Sequence, residues 1–106
     1  MNQDKIKLLL FCGYDTETYA SQIWIKGDTK IHINDVDFKT DWNFLMQAVL
    51  KINSLGYVYK TGNINNHSFA QFLENNNIIT SSVEKTIIES TYNIVIDLIK
   101  HLNNQL

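Results

Sequence analysis

The 106-residue sequence has no arginine, no proline and only one cysteine, Cys12. A single cysteine excludes an intramolecular disulfide and a cysteine-rich zinc site. Arginine is favoured for two-point hydrogen bonding to guanine edges and phosphates, and the nine lysines form no cluster, so we expect no sequence-specific binding to nucleic acid. The apolar run LLLFC at 8–12 is far shorter than the ~20 residues that cross a bilayer, which predicts a cytoplasmic protein without a membrane span.

The apolar content is high enough for a folded core. Hydrophobic residues make up 44% of the chain, including two tryptophans, five tyrosines and five phenylalanines, which argues against disorder. A chain of this length is typical of one domain, here 1–106. We predict an α+β fold: a small, mainly antiparallel sheet of three or four strands, from the 22–33 hairpin and 57–61, packed by two to three helices, including 41–54 and 82–103.

Two short runs of β-branched residues flank Gly27-Asp28, a two-residue turn signal typical of a β-hairpin. In the register that this turn sets, Trp24 lies opposite Ile31 and shares a face with Ile33. We expect that face to be the core side.

The stretch DWNFLM gathers large apolar side chains at the start of a helix whose N-cap is Thr40 or Asp41. Helical spacing places Trp42, Leu45 and Met46 on one face. We interpret them as a wedge that seats the helix on the sheet, and expect Trp42→Ala to cost ~3–5 kcal/mol. Phe44 points to a neighbouring flank, and we predict that it contacts a partner.

The C-terminal segment has the pattern of a long helix. Ser81 and Glu84 fit a capping box, and a broad apolar stripe follows from Val83 to Leu102 at helical spacing. Such a stripe exceeds what one small sheet covers, so a homodimer is a further expectation. Residues 4–12 and 68–73 are each compatible with a helix or a strand.

The segment TDWNFLMQAVLKI at 40–52 resembles the SDWNWLMPVVEKI signature of a family of small uncharacterised proteins found in Bacteroidetes genomes and their phages. KIKLLLFCGYD and YNIVIDLIKHLNN resemble two further segments of that family, LIAEFMG and YNAVVEFIKWYN. Phe44 stands where the family usually has a second tryptophan, and Gln47 where it has proline. The resemblance implies a small α+β domain with a phage or mobile-element setting, and it implies no catalytic residue.

Candidate chemistry is sparse. Three aspartates within 35–41 are spaced like the start of a calcium loop, but the central glycine and distal glutamate of such loops are missing. Cys12 with His32 or His67 is the thiol–imidazole pair that a hydrolase would need, and no local signature joins them. The glycines form no phosphate-binding pattern. We therefore predict no catalytic residue, no metal and no cofactor.

Two functions stay open. The first is a non-enzymatic binding protein of phage or mobile-element origin that contacts a protein partner through an apolar patch. The alternative is a phage counter-defence protein that inhibits a host defence protein or sequesters a small nucleotide-type ligand, since strand aromatics can stack on bases. The residues predicted to line that pocket are Trp24, Lys30, Tyr57, Tyr59 and Lys60. Tyr57 and Tyr59 share a face of their strand, and core packing is the competing interpretation for both.

Overall fold

The structure, a computed structural model, describes residues 3–16 and 22–104. In these ranges the chain forms three α-helices and two antiparallel sheets, which confirms the predicted α+β class. The elements in chain order are α1 (Gln3–Phe11), β1 (Ile23–Lys26), β2 (Thr29–His32), a 3₁₀ turn (Ile33–Asp35), α2 (Trp42–Ser54), β3 (Val58–Ile64), β4 (His67–Glu74), β5 (Asn77–Glu84) and α3 (Ile87–Asn104). None of the described helices is long and apolar enough to cross a membrane.

The strands form two separate sheets, and the prediction that the hairpin and 57–61 share one sheet is wrong. β1 pairs with β2, while β3, β4 and β5 form a second sheet in that order. Two-residue turns at 65–66 and 75–76 join the strands of the second sheet, and all four turn residues are asparagines with positive φ. A hairpin turn of this type needs a left-handed backbone at both positions, which asparagine tolerates better than most residues. Segment 68–73 is therefore a strand at the centre of a meander.

The β1–β2 hairpin has the predicted register, with Trp24 opposite Ile31. Trp24 and Ile33 are buried and Ile31 is half-buried, so the predicted core side is confirmed. Gly27 has a φ of +58° in the connecting turn, a conformation that glycine adopts without steric cost.

The ambiguous segment 4–12 is helical and ends at Gly13, whose φ is +94°. The Gly13 N–H donates to the Leu10 carbonyl at 3.1 Å, and the Tyr14 N–H donates to the Leu9 carbonyl at 3.0 Å. These two bonds are those of a Schellman motif, which satisfies carbonyls that the last helical turn leaves free.

Helix α2 begins after Asp41, one of the two predicted N-caps, but does not bury its tryptophan. Asp41 Oδ1 accepts from the N–H groups of Asn43 at 3.0 Å and Phe44 at 3.4 Å. Leu45 is fully buried, whereas 37% of Trp42 is exposed, so its place in the predicted wedge is wrong. The buried residues of α2 are Leu45, Ala48, Val49 and Ile52. At 100° per residue, Trp42 lies roughly 70° from the centre of that stripe.

Helix α3 begins at Ile87, five residues after the predicted start at residue 82, because residues 77–84 are the edge strand β5. Thr86 takes the place of Ser81 as the N-cap, with Glu89 three residues later. Thr86 Oγ1 donates to Glu89 Oε1 at 2.7 Å, and the Glu89 N–H donates to Thr86 Oγ1 at 3.3 Å. Val83, which the sequence analysis placed in the apolar stripe of the helix, is 50% exposed on β5.

One face of the three-stranded sheet packs on α3. Ala70 and Phe72 of β4 are fully buried there, and the Tyr59 ring lies 5.7 Å from that of Phe72. The Tyr59 hydroxyl is 2.5 Å from Oγ1 of the buried Thr91 on α3. In the part of the chain that the structure describes, the opposite face of the sheet keeps four apolar side chains at least half exposed.

Candidate functional site

The feature most suited to recognition is the outward side of the three-stranded sheet, here called the open face. Side chains alternate along a strand, so neighbours of the residues that contact α3 point outward. Four outward apolar residues are 50–63% exposed: Val58, Ile64, Ile78 and Val83. The open face consists of Val58, Lys60, Gly62, Ile64, His67, Phe69, Gln71, Leu73, Ile78, Ser81 and Val83.

Cross-strand pairing arranges the open face in rows. Val58, Leu73 and Ile78 form one apolar row, because Leu73 pairs with both of the others. A polar row of Lys60, Gln71 and Ser81 comes next, followed by an apolar row of Gly62, Phe69 and Val83. The surface therefore has two apolar bands separated by one polar band, and the pair of Ile64 and His67 lies beyond the second apolar band.

A bulge in β5 decides which isoleucine belongs to this surface. Phe72 pairs with Thr80 and Leu73 pairs with Ile78, which leaves Ile79 as the extra residue. Ile79 packs against the core while Ile78 is 57% exposed. The bulge changes the alternation of the strand, and so places Ile78 at the end of the first apolar row.

The Phe69 ring lies over Gly62 of the neighbouring strand. A Cβ atom at Gly62 would lie 2.4 Å from Phe69 Cε1 and 2.7 Å from Cζ, closer than van der Waals contact permits. The glycine lets the aromatic ring lie flat across its neighbouring strand, which half-buries Phe69. In the second apolar row the Phe69 ring therefore lies over Gly62, and Val83 occupies the β5 end of the row.

The open face carries little charge. Lys60 lies on the edge strand β3 in the polar row and is exposed, His67 lies at one end of the face, and none of the residues of the open face is a carboxylate. A cation in apolar surroundings favours a partner whose facing surface is apolar with polar or acidic groups, and disfavours a second cation.

A groove on another side of the molecule consists of two adjoining depressions of about 200 and 270 Å³, which share Lys39 and Tyr92. The Lys39 Nζ lies 5.5 Å from the centre of the Tyr92 ring. Desolvation raises the pKa of Tyr92, and the carboxylates of Asp4 and Asp37 raise it further. Each depression is smaller than the ~300–1,000 Å³ typical of sites for small molecules.

The charges of this groove disfavour a phosphorylated ligand. Two lysines, Lys5 and Lys39, line it together with three carboxylates, those of Asp37, Glu84 and Glu89. A hydrogen bond from Thr40 holds the pKa of Asp37 below its ordinary value, so this carboxylate is ionised at neutral pH. Phosphate groups would meet more negative than positive charge.

The five residues predicted to line a ligand pocket lie in different environments. Trp24 is fully buried and Tyr57 is 6% exposed, and both belong to the hydrophobic core. Tyr59 is half-buried with its hydroxyl against α3. Lys30 is exposed on β2, and Lys60 is exposed on the open face. The depressions described above are lined by other residues, and ligand binding by Lys30 or Lys60 stays a prediction.

Phe44, the predicted partner contact, is half-buried. Its ring packs edge to face on that of Phe38, with 5.8 Å between centroids. Trp42 is the more exposed aromatic of this helix turn. A partner role for Phe44 stays a prediction.

Cys12 is buried, and His32 and His67 each have a ring nitrogen within hydrogen-bond distance of a nearby backbone group. Cys12 is buried, and desolvation raises the pKa of its thiol to about 11, which opposes formation of the nucleophilic thiolate. A His32 ring nitrogen accepts from the Asn34 N–H at 3.1 Å, and a His67 ring nitrogen lies 3.0 Å from the Asn65 carbonyl. Among the residues that the structure describes, no group of histidines, cysteines and carboxylates is placed to hold a metal ion.

No family model, curated protein or solved structure matches this chain.

The sequence does contain a signal for the open face. The paired asparagines at 65–66 and 75–76 mark two hairpin turns. With those turns in place, the period of two in β3 assigns Val58, Lys60 and Ile64 to one side. The side that faces solvent could not be chosen from this pattern, because the opposite side includes threonine and asparagine.

Proposed function

We propose that the protein is a non-enzymatic binding protein that recognises a protein partner through the open face. The observation that supports the proposal is the cluster of Val58, Ile64, Ile78 and Val83, each at least half exposed on one sheet face. Scattered exposed apolar residues are ordinary, whereas a contiguous apolar surface that nothing covers is typical of an interaction site.

The phage or mobile-element setting is part of this proposal and is supported by the resemblance of the 40–52 segment described above. Sequestration of a nucleotide-type ligand has less support, because the groove at Lys39 and Tyr92 has more carboxylates than lysines. A protein partner needs no pocket and fits the flat, weakly charged open face.

The test is capture of binding partners by the immobilised chain, compared with an Ile78→Glu variant. We expect the variant to lose the specific partner, because it places a carboxylate in the first apolar row. Leu50→Glu is a matched control, since Leu50 is an apolar residue of α2 that is 64% exposed, against 57% for Ile78. Equal capture by all three proteins, with thermal melts that show each one folded, would contradict the proposal.

A further inference from the structure

We infer that the partner on the open face is a second copy of this chain, related to the first by a two-fold axis along β4. This inference rests on the proposed function and names the occupant of the same surface. It depends on the area, the pattern of rows and the charges of the open face.

The area is that of a small but specific interface. The four most exposed apolar residues show half to two-thirds of their surface to solvent. With their polar neighbours they offer on the order of 600 Å² per copy, at the lower end of the ~600–1,000 Å² that each partner buries in a standard interface. Interfaces at the low end of the size range are often weak and transient, so the proposal is of a dimer that dissociates in the micromolar range, on the order of 10–100 μM.

The rows are self-complementary under a two-fold axis along β4. This axis places β3 of one copy over β5 of the other, and each row faces the same row of the second copy. Val58 then faces Ile78 of the second copy, so that apolar bands meet apolar bands. The Phe69 ring, which lies over Gly62, faces Val83 of the second copy. Two sheets that pack face to face with nearly aligned strands form the usual sandwich arrangement, and an interface of this symmetry repeats every contact twice.

The charges of the open face favour the axis along β4 over a two-fold axis perpendicular to the strands. Under an axis along β4, Lys60 faces Ser81 of the second copy, and the Gln71 amides of the two copies meet and can hydrogen-bond. A two-fold axis perpendicular to the strands would place Lys60 against Lys60 of the second copy. Like charges facing each other across an interface are unfavourable, so the axis along β4 is the favoured arrangement.

The decisive experiment is sedimentation equilibrium of the full chain from about 10 to about 500 μM, a range that brackets the expected dissociation constant. We expect the mass to rise from that of the 12.3 kDa chain towards twice that value. Ile78→Glu should weaken association at least tenfold, while Leu50→Glu leaves it unchanged. Thermal melts establish that each variant is folded.

A substitution at Ser81 tests the axis itself. Ser81→Glu places a carboxylate opposite Lys60 of the second copy, and should tighten the dimer about two- to fivefold, as measured for exposed ion pairs. Ser81→Lys should weaken it. If Ser81→Glu weakens the dimer as much as Ser81→Lys does, Ser81 faces itself across the interface and the proposed axis is wrong.

The outcomes separate this inference from the proposed function. A wild-type chain that stays monomeric at ~500 μM, well above the expected range, overturns the second-copy inference. If Ile78→Glu still abolishes binding of a purified heterologous protein, the proposed function survives with a different partner. If neither self-association nor any partner responds to Ile78→Glu, both fail.

Discussion

The most informative stability prediction compares Trp42→Ala with Leu45→Ala, two truncations in the first turns of α2. Leu45 is fully buried, and its truncation leaves a cavity that the surrounding core fills only in part, at a cost of ~3–5 kcal/mol. Trp42 keeps 37% of its surface in solvent when folded. Trp42→Ala removes a side chain that is about two-thirds buried, and the space it leaves is open to water instead of being a closed cavity. We therefore expect this substitution to lower the free energy of unfolding by only ~1–2 kcal/mol.

Thermal and urea unfolding followed by circular dichroism measures both values. For a domain of ~100 residues, 1 kcal/mol corresponds to a shift of roughly 4–8 °C in the melting temperature. Leu45→Ala should therefore lower the melting temperature by roughly 12–40 °C, and Trp42→Ala by roughly 4–16 °C, with the larger fall for Leu45→Ala. A Trp42→Ala variant as unstable as Leu45→Ala would refute the surface position of the tryptophan and restore it to the core.

Three further predictions concern the cap of α3, the buried thiol and the contact between sheet and helix. Thr86→Ala should lower the free energy of urea unfolding by ~1 kcal/mol through loss of the N-cap. Ser81→Ala, at the cap predicted from sequence, should lower it by less than ~0.5 kcal/mol. A larger effect of Ser81→Ala would place the start of the helix at Ser81. At pH 8 Cys12 should react with a thiol reagent at least ~100-fold more slowly in the native than in the urea-unfolded chain, because its pKa is raised to about 11. As the pH rises from 9.0, the thiol loses its proton in the unfolded chain before it does so in the folded chain. The free energy of unfolding should therefore fall between pH 9.0 and about 11. If a Cys12→Ala variant shows the same pH dependence, the thiol is not its cause. Tyr59→Phe should cost ~1–2 kcal/mol through loss of the hydrogen bond to Thr91, and an unchanged unfolding midpoint would show that this bond contributes nothing.

Local patterns predicted much of the fold because local physics determines those parts. The Gly27-Asp28 turn set the hairpin register, and Asp41 capped α2 as its side-chain chemistry requires. The helical stripe from 87 to 102 was also recognised, and only Val83, at the start of the predicted stripe, lies outside the helix.

The errors arose where two segments satisfied the same local rule and a distant contact decided between them. Residues 81–84 and 86–89 both fit a capping box, but pairing of β5 with β4 takes up the backbone of the first. Trp42 fits a helical apolar face by spacing, yet the core side of α2 is centred elsewhere. The open face depends on which side of the sheet α3 covers, and that choice lies in tertiary packing.

The most direct test of the central claim is methyl NMR of the full chain over a dilution series. Association through the open face predicts concentration-dependent shifts at the methyl groups of Val58, Ile78 and Val83. The exposed leucines of the helices, Leu10 and Leu50, should keep their positions. Shifts confined to the helical leucines, or none at any concentration, would contradict the assignment of the open face as the binding surface for a second copy.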